Sequence, residues 1–138
     1  MGEVFRSESV AMTEDYGRRL GEELKSGAVV AFFGGMGMGK TAMVRGIAYG
    51  MGLDAEVSSP TFALVHDYGG HLPLVHFDMF RVTTWDDLYS TGFFDYLDAG
   101  AVLVVEWSEN IESALPEDAI RIRISAPNDT TRLIEREG

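Results

Sequence analysis

Residues 32–46 read FFGGMGMGKTAMVRG, and this stretch decides the fold. It packs five glycines around one of only two lysines in a chain of 138 residues. Gly34, Gly35, Met36, Gly37, Met38, Gly39, Lys40 and Thr41 together fit the pattern G-x-x-x-x-G-K-[ST]. Glycines let the backbone turn so that successive N–H groups point inward as an anion nest. A helix beginning at the same place adds its positive end. In such a loop Lys40 reaches the β- and γ-phosphates of a nucleotide and the Thr41 hydroxyl ligates Mg²⁺. A glycine-rich turn can match the pattern by accident, so the flanks decide: a phosphate loop needs a strand before it and a helix after it.

Both are there. Residues 28–33 (AVVAFF) form a continuous apolar run of strand length, as in a strand buried on both faces of an α/β sheet. Residues 41–52 (TAMVRGIAYGMG) read as a helix with Met43, Val44, Ile47 and Met51 facing inward. Further out, residues 4–7 suggest a short edge strand. Thr13, followed by Glu14 and Asp15, reads as the N-cap of a first helix. Tyr16, Leu20 and Leu24 give that helix an apolar stripe, and Gly27 reads as its stop.

Downstream, Pro60 marks residues 58–61 (SSPT) as a loop. Residues 62–68 and 74–77 look like two strands of a hairpin turning through Gly69, Gly70 and His71. Residues 85–89 and 93–97 suggest short helices, the first opened by Asp86 and Asp87. Residues 101–105 (AVLVV) make a second buried strand. Residues 119–125 (AIRIRIS) alternate as a half-exposed strand does, with Arg121 and Arg123 on the solvated face and residues 131–135 as a partner. There are no repeats or linkers. The expectation is a single α/β domain, residues 1–138, with a central mixed β-sheet flanked by helices.

Composition narrows the function. An apolar share of 46% with 11% aromatics is enough for a packed core and argues against disorder. The absence of cysteine excludes disulfides, thiolate metal sites and cysteine nucleophiles. No apolar run of about 18 residues exists, and no basic segment with an apolar stretch opens the chain, so the expected location is the cytoplasm. Net charge is −11, with 11 Lys and Arg against 22 Asp and Glu. Nucleic-acid affinity comes mainly from cations neutralising phosphates. A nucleic-acid surface of its own is therefore not expected, and any RNA would be held by another protein.

Hydrolysis needs more than a phosphate loop: a metal partner and a group that orients water. Asp78 closes LVHFD and Glu106 closes AVLVVE, both at the ends of apolar strands. In parallel α/β sheets such ends converge beside the phosphate loop, where either carboxylate can hold Mg²⁺ or align the attacking water. The plainer reading is that each marks a strand's exit into solvent. Trp107, next to Glu106, reads equally as core packing. Arg81 suits a carboxylate partner or a phosphate. His66, His71 and His76 lack metal-ligand spacing and read as hairpin or core residues.

Taken in order, Gly34 to Thr41, the Ser59-Pro60-Thr61-Phe62 stretch, His76-Phe77-Asp78 with Arg81, and Glu106-Trp107 resemble the TsaE family, formerly YjeE. Its members are P-loop ATPases of bacterial tRNA threonylcarbamoyladenosine synthesis, and the resemblance spans nearly the whole chain. It implies that Met36, Gly37, Met38, Gly39, Lys40 and Thr41 cradle the phosphates of ATP or ADP, with Thr41 and Glu106 near Mg²⁺. Asp78 would organise metal or water, Thr61 would sense the γ-phosphate or the metal, and Trp107 would serve the ATPase. Ser9, Thr131 and Arg132 would flank the base. The implied partners are TsaD and TsaB, with tRNA met only through them. Two positions depart from the family pattern: Gly35 stands where Asp or Glu is usual, and Met38 where alanine is typical.

Two other functions compete with a partner-dependent ATPase. One is a nucleotide-dependent binding switch with negligible hydrolysis. The other is a small-molecule kinase, which needs an arginine-rich lid. Between the loop and Glu106 only Arg45 and Arg81 are available for that lid.

Overall fold

The structure is a computed structural model that describes residues 2–33, 39–53 and 65–138. Seven strands form one mixed sheet in the order β1-β7-β6-β2-β5-β4-β3. They are β1 (Gly2–Ser7), β2 (Val29–Phe33), β3 (Val65–Gly69), β4 (Leu74–Asp78), β5 (Val102–Glu106), β6 (Ile120–Ser125) and β7 (Arg132–Glu137). The helices are α1 (Val10–Glu23), α2 (Lys40–Gly50), α3 (Trp85–Ser90) and α4 (Phe93–Asp98), and a 3₁₀ segment, Ser108–Ala114, follows β5. The centre is parallel, with β2 between β5 and β6 and with β4 beside β5. Both wings are antiparallel: β3 pairs with β4, and β1 and β6 flank β7.

The apolar runs go where helices cover both faces. Every residue of β2 is buried. Val30 and Phe32 pack with Tyr16, Leu20, Met43 and Ile47 on the side of α1 and α2. Val29, Ala31 and Phe33 pack with Leu88, Phe93 and Ile111 on the other side. Because side chains alternate along a strand, two opposed apolar layers require an unbroken apolar sequence. In β6 only one face is covered: Ile122 and Ile124 are buried, Arg121 is half-buried and Arg123 is exposed. The Arg123 guanidinium lies over the Phe33 ring, 4.6 Å from its centroid.

Among the described residues the expected strands and helices form, with two corrections around α1; the expected loop at 58–61 and residues 62–64 of the expected strand lie outside them. Its N-cap is Ser9, whose side chain accepts from the Met12 N–H at 3.1 Å. Thr13 lies inside the helix and is buried, its Oγ1 2.7 Å from the Ser7 Oγ. The helix also ends before Gly27: Leu24 is its C-cap, and Gly27, at φ +84°, turns the chain towards β2. Asp86 and Asp87 do open α3, where Thr84 caps the Asp87 N–H at 3.0 Å. Among the described residues no helix is long and apolar enough to cross a membrane.

Tyr16 ties α1 to β1, its hydroxyl donating to the Glu3 carboxylate at 2.8 Å. Burial, and after it Glu3, pushes the Tyr16 hydroxyl up to about 12, against about 10 for a free tyrosine. A folded-state pKa above the unfolded value gives stability that is complete below pH 10 and lost as pH rises through 12. Urea unfolding at pH 9 to 12 is expected to show this loss in the wild type and a flatter profile in Tyr16→Phe.

Candidate functional site

The site lies where the parallel strands end. Register sets Asp78 of β4 level with Glu106 of β5, and Ala31 of β2 level with Val105. Alternation then decides direction. Val104 belongs to the core layer under α1 and α2, so Glu106, two residues on, faces the same side. His76 and Asp78 share that parity on β4. This is the side on which α2 begins, with Gly39 as its N-cap at φ +86° and Lys40 as its first residue.

Lys40 is only 3% exposed and Glu106 only 4%. Burial holds the Lys40 ammonium below the usual lysine range, while the nearby charges of Glu106, Glu109 and Asp78 act in the opposite direction. An isolated buried charge is costly, and these carboxylates compensate the buried Lys40 ammonium. Thr41, next on α2, is half-buried. Glu106 has a second partner: its Oε2 accepts a hydrogen bond from the His76 Nε2 at 2.8 Å. Asp78 is half-buried, and its Oδ1 accepts from the Phe80 N–H at 2.9 Å.

Two backbone features fix the rim. The Met79 N–H donates to the Glu106 carbonyl at 3.0 Å, carrying the β4–β5 pairing one step past Asp78. The Asn110 side-chain amide then donates to the Met79 carbonyl at 2.9 Å. Trp107 takes φ +59° and ψ +42°, the left-handed region, and is the only non-glycine residue with positive φ among those described. Such a conformation costs on the order of 1 kcal/mol or more and persists where the surroundings demand it. Its ring packs on Phe80, centroids 4.9 Å apart, and its indole N–H is buried without a hydrogen-bond partner among the described residues. Trp107 is thus half-buried at the rim, where it also packs against the core layer that holds Phe77 and Val105.

A cleft of about 260 Å³ adjoins the start of α2. Ser9, Val10 and Thr13 line one side, Thr130 and Arg132 the other, and Gly39 and Ala42 meet them. It is smaller than the roughly 300–1,000 Å³ of a pocket for a whole small ligand, and so suits one part of a larger molecule. Ser9 and Arg132 reach it, whereas Thr131 is 1% exposed and sits behind its wall.

Lys40, Glu106 and Asp78 therefore come together, with Thr41, Gly39 and Trp107 on the same end of the sheet. Met36, Gly37, Met38 and Thr61 lie outside the described residues, as do Gly35 and the rest of the 59–62 stretch. The sequence reading of His76 as a hairpin or core residue fits its burial but misses its bond to Glu106, and Asn110 it passes over. For His76 a signal was present: it stands two residues before Asp78 in a strand, hence on the same face. Arg81 is exposed, while Arg45 is engaged with Glu14 at 3.1 Å.

Comparison with known proteins identifies the family and the fold. The profile of the family described as "Threonylcarbamoyl adenosine biosynthesis protein TsaE" matches residues 7–134. A tRNA threonylcarbamoyladenosine biosynthesis protein TsaE of Treponema pallidum is 36% identical over 128 residues, 93% of this chain and 95% of the relative. The protein of that name from Streptomyces coelicolor is 39% identical over 120 residues, 84% of this chain and 81% of the relative. The crystal structure of Bacillus subtilis YdiB superposes with a TM-score of 0.80 at 28% identity, covering 99% of this chain and 84% of that one. With a profile spanning most of its length and full-length relatives above 30% identity, the chain belongs to the TsaE family of threonylcarbamoyl adenosine biosynthesis proteins.

Proposed function

We propose that this protein is a Mg²⁺-dependent ATP-binding and ATP-hydrolysing subunit serving tRNA N6-threonylcarbamoyladenosine modification in the cytoplasm. It works with a TsaD–TsaB pair and meets tRNA only through those partners. The observation that carries the reading is the level pairing of Asp78 with Glu106 on adjacent parallel strands, on the side where α2 opens with a buried Lys40.

Residues 36–41 would cradle the phosphates, with the N–H groups at the start of α2 and the Lys40 ammonium opposing their charge. The cleft beside Gly39, between Ser9 and Arg132, would take the base. Thr61 would sense the γ-phosphate, and Trp107 would close the rim. The donor set fits Mg²⁺: Thr41 offers a hydroxyl, and Glu106 and Asp78 offer carboxylates, all hard oxygens. Among the described residues no group of three or more His, Cys, Asp or Glu forms a metal cage. An ion held by these oxygens would complete its shell with phosphate and water. Bound there, the ion would neutralise charge on the β- and γ-phosphate oxygens. Glu106 and Asp78 would position the attacking water in line with the γ-phosphate.

The test measures phosphate release and association with TsaD–TsaB in ATP, ADP and no nucleotide. Slow release by the isolated protein, a marked increase with the pair, and ATP-dependent association are expected. ATP-dependent association without phosphate release would instead identify a binding switch. Transfer of labelled γ-phosphate to a metabolite would identify a kinase, against which the Arg45–Glu14 ion pair already counts.

A further inference from the structure

We propose that His76 is a positioning residue for Glu106, holding its carboxylate in the one orientation that serves the nucleotide. The inference rests on the ATPase reading above and concerns a side chain to which that reading gives no role. His76 is 1% exposed and Glu106 4% exposed, so the hydrogen bond between them runs through a region closed to water. The two residues are diagonal neighbours, since register places His76 opposite Val104, two residues before Glu106. A carboxylate only accepts, so the ring hydrogen sits on Nε2. The Nδ1 atom is buried with no hydrogen-bond partner among the described residues, so the ring's single polar engagement there is the bond to Glu106.

A glutamate carboxylate rotates freely unless one oxygen is tied. With Oε2 tied to Nε2, Oε1 is the oxygen left for Lys40, metal or water. The Tyr68 ring lies beside the imidazole, centroids 6.4 Å apart and planes tilted by 31°, and its bulk limits the movement of His76. Partners that orient a ligating or catalytic group typically cost 10- to 100-fold in activity or metal affinity when removed.

The test uses the full chain and three variants: His76→Gln, His76→Asn and His76→Phe. Gln carries its amide nitrogen about as far from the backbone as Nε2, whereas the Asn amide stops one carbon short. With TsaD–TsaB present, Asn and Phe are expected to lower kcat by about 10- to 100-fold with KM for ATP little changed, and Gln to recover most of the loss. A second readout needs no turnover. Mg²⁺ titrated into the ADP complex, followed by tryptophan fluorescence, is expected to bind more weakly in Asn and Phe than in Gln and wild type. Wild-type behaviour in Asn would overturn the proposal, and so would a Gln variant as defective as Asn. If Phe does not fold, the contrast between Gln and Asn decides alone. A wild type that releases no phosphate with its partners removes the ATPase reading and this inference together. A wild type that hydrolyses ATP no faster than His76→Asn removes only the role of His76.

Discussion

Replacing Glu106 by Gln is expected to lower partner-stimulated ATP hydrolysis by about 100-fold or more while nucleotide still binds. A positioned carboxylate that takes up or aligns the attacking group contributes about 10²- to 10⁴-fold, and the amide removes that ability. The substitution keeps the side chain's shape, so the packing between β4 and β5 is preserved. It also keeps an oxygen for His76, whose Nε2–H still finds an acceptor. What is lost is the negative charge. Glu106 is the foremost carboxylate countering the effect of burial on Lys40, so its removal lowers the Lys40 pKa further. Nucleotide binding, supplied mainly by backbone N–H groups and the start of α2, is expected to weaken far less than kcat falls. Phosphate release at saturating ATP with TsaD–TsaB, set beside nucleotide titration by tryptophan fluorescence, separates the two. A Glu106→Gln protein that hydrolyses as fast as wild type would remove Glu106 from the chemistry.

The parts of this site that sequence made legible share a physical cause. Residues 28–33 and 101–105 are readable because a strand covered on both faces must be apolar throughout. Asp78 and Glu106 then stand out as the first charges after such runs. The parallel β4–β5 register that sets them level is not written in either segment, because it depends on how the crossover through α3 and α4 packs. The His76–Glu106 bond joins residues 30 apart, and no local pattern announces it. The N-cap of α1 was misread for a related reason. Ser9 and Thr13 are both good capping residues, and the modest preference for serine over threonine does not by itself place the helix start. What decides is tertiary: Thr13 turns inward to the buried Ser7 hydroxyl, so the helix starts a turn earlier on Ser9. That earlier turn matters to the site, because it brings Ser9 and Val10 to the cleft beside Gly39.

The sequence shows Gly17 and Gly21 in α1 and Gly46 and Gly50 in α2 as four helix-weakening residues, yet Gly46→Ala is expected to destabilise the protein strongly. In an exposed helix the same change would stabilise by about 1 kcal/mol. Here a Cβ on Gly46 would lie less than 3.0 Å from the Glu14 backbone carbonyl oxygen, and one on Gly50 equally close to that of Arg18. Gly17 and Gly21 face the carbonyls of Met43 and Ile47 in the same way, so each helix presses its glycines onto the other's backbone. Backbone cannot rotate aside as a side chain can, and α1 and α2 would have to move apart. Overpacking of this kind costs about 3 kcal/mol, which exceeds the helix-propensity gain and leaves a net loss of about 2 kcal/mol. For a domain of this size that corresponds to roughly 8 °C in Tm. The consequence reaches the site, because α2 opens with Lys40 while α1 carries Val10 and Thr13 on the opposite wall of the cleft. Separating the helices widens that cleft and lifts Lys40 from Glu106. Thermal unfolding of Gly46→Ala, with and without ADP and Mg²⁺, is therefore expected to show a lower Tm and a smaller nucleotide-induced increase than wild type. A Tm equal to or above wild type would mean that the helices are free to adjust, and that their close approach does not set the geometry of the site.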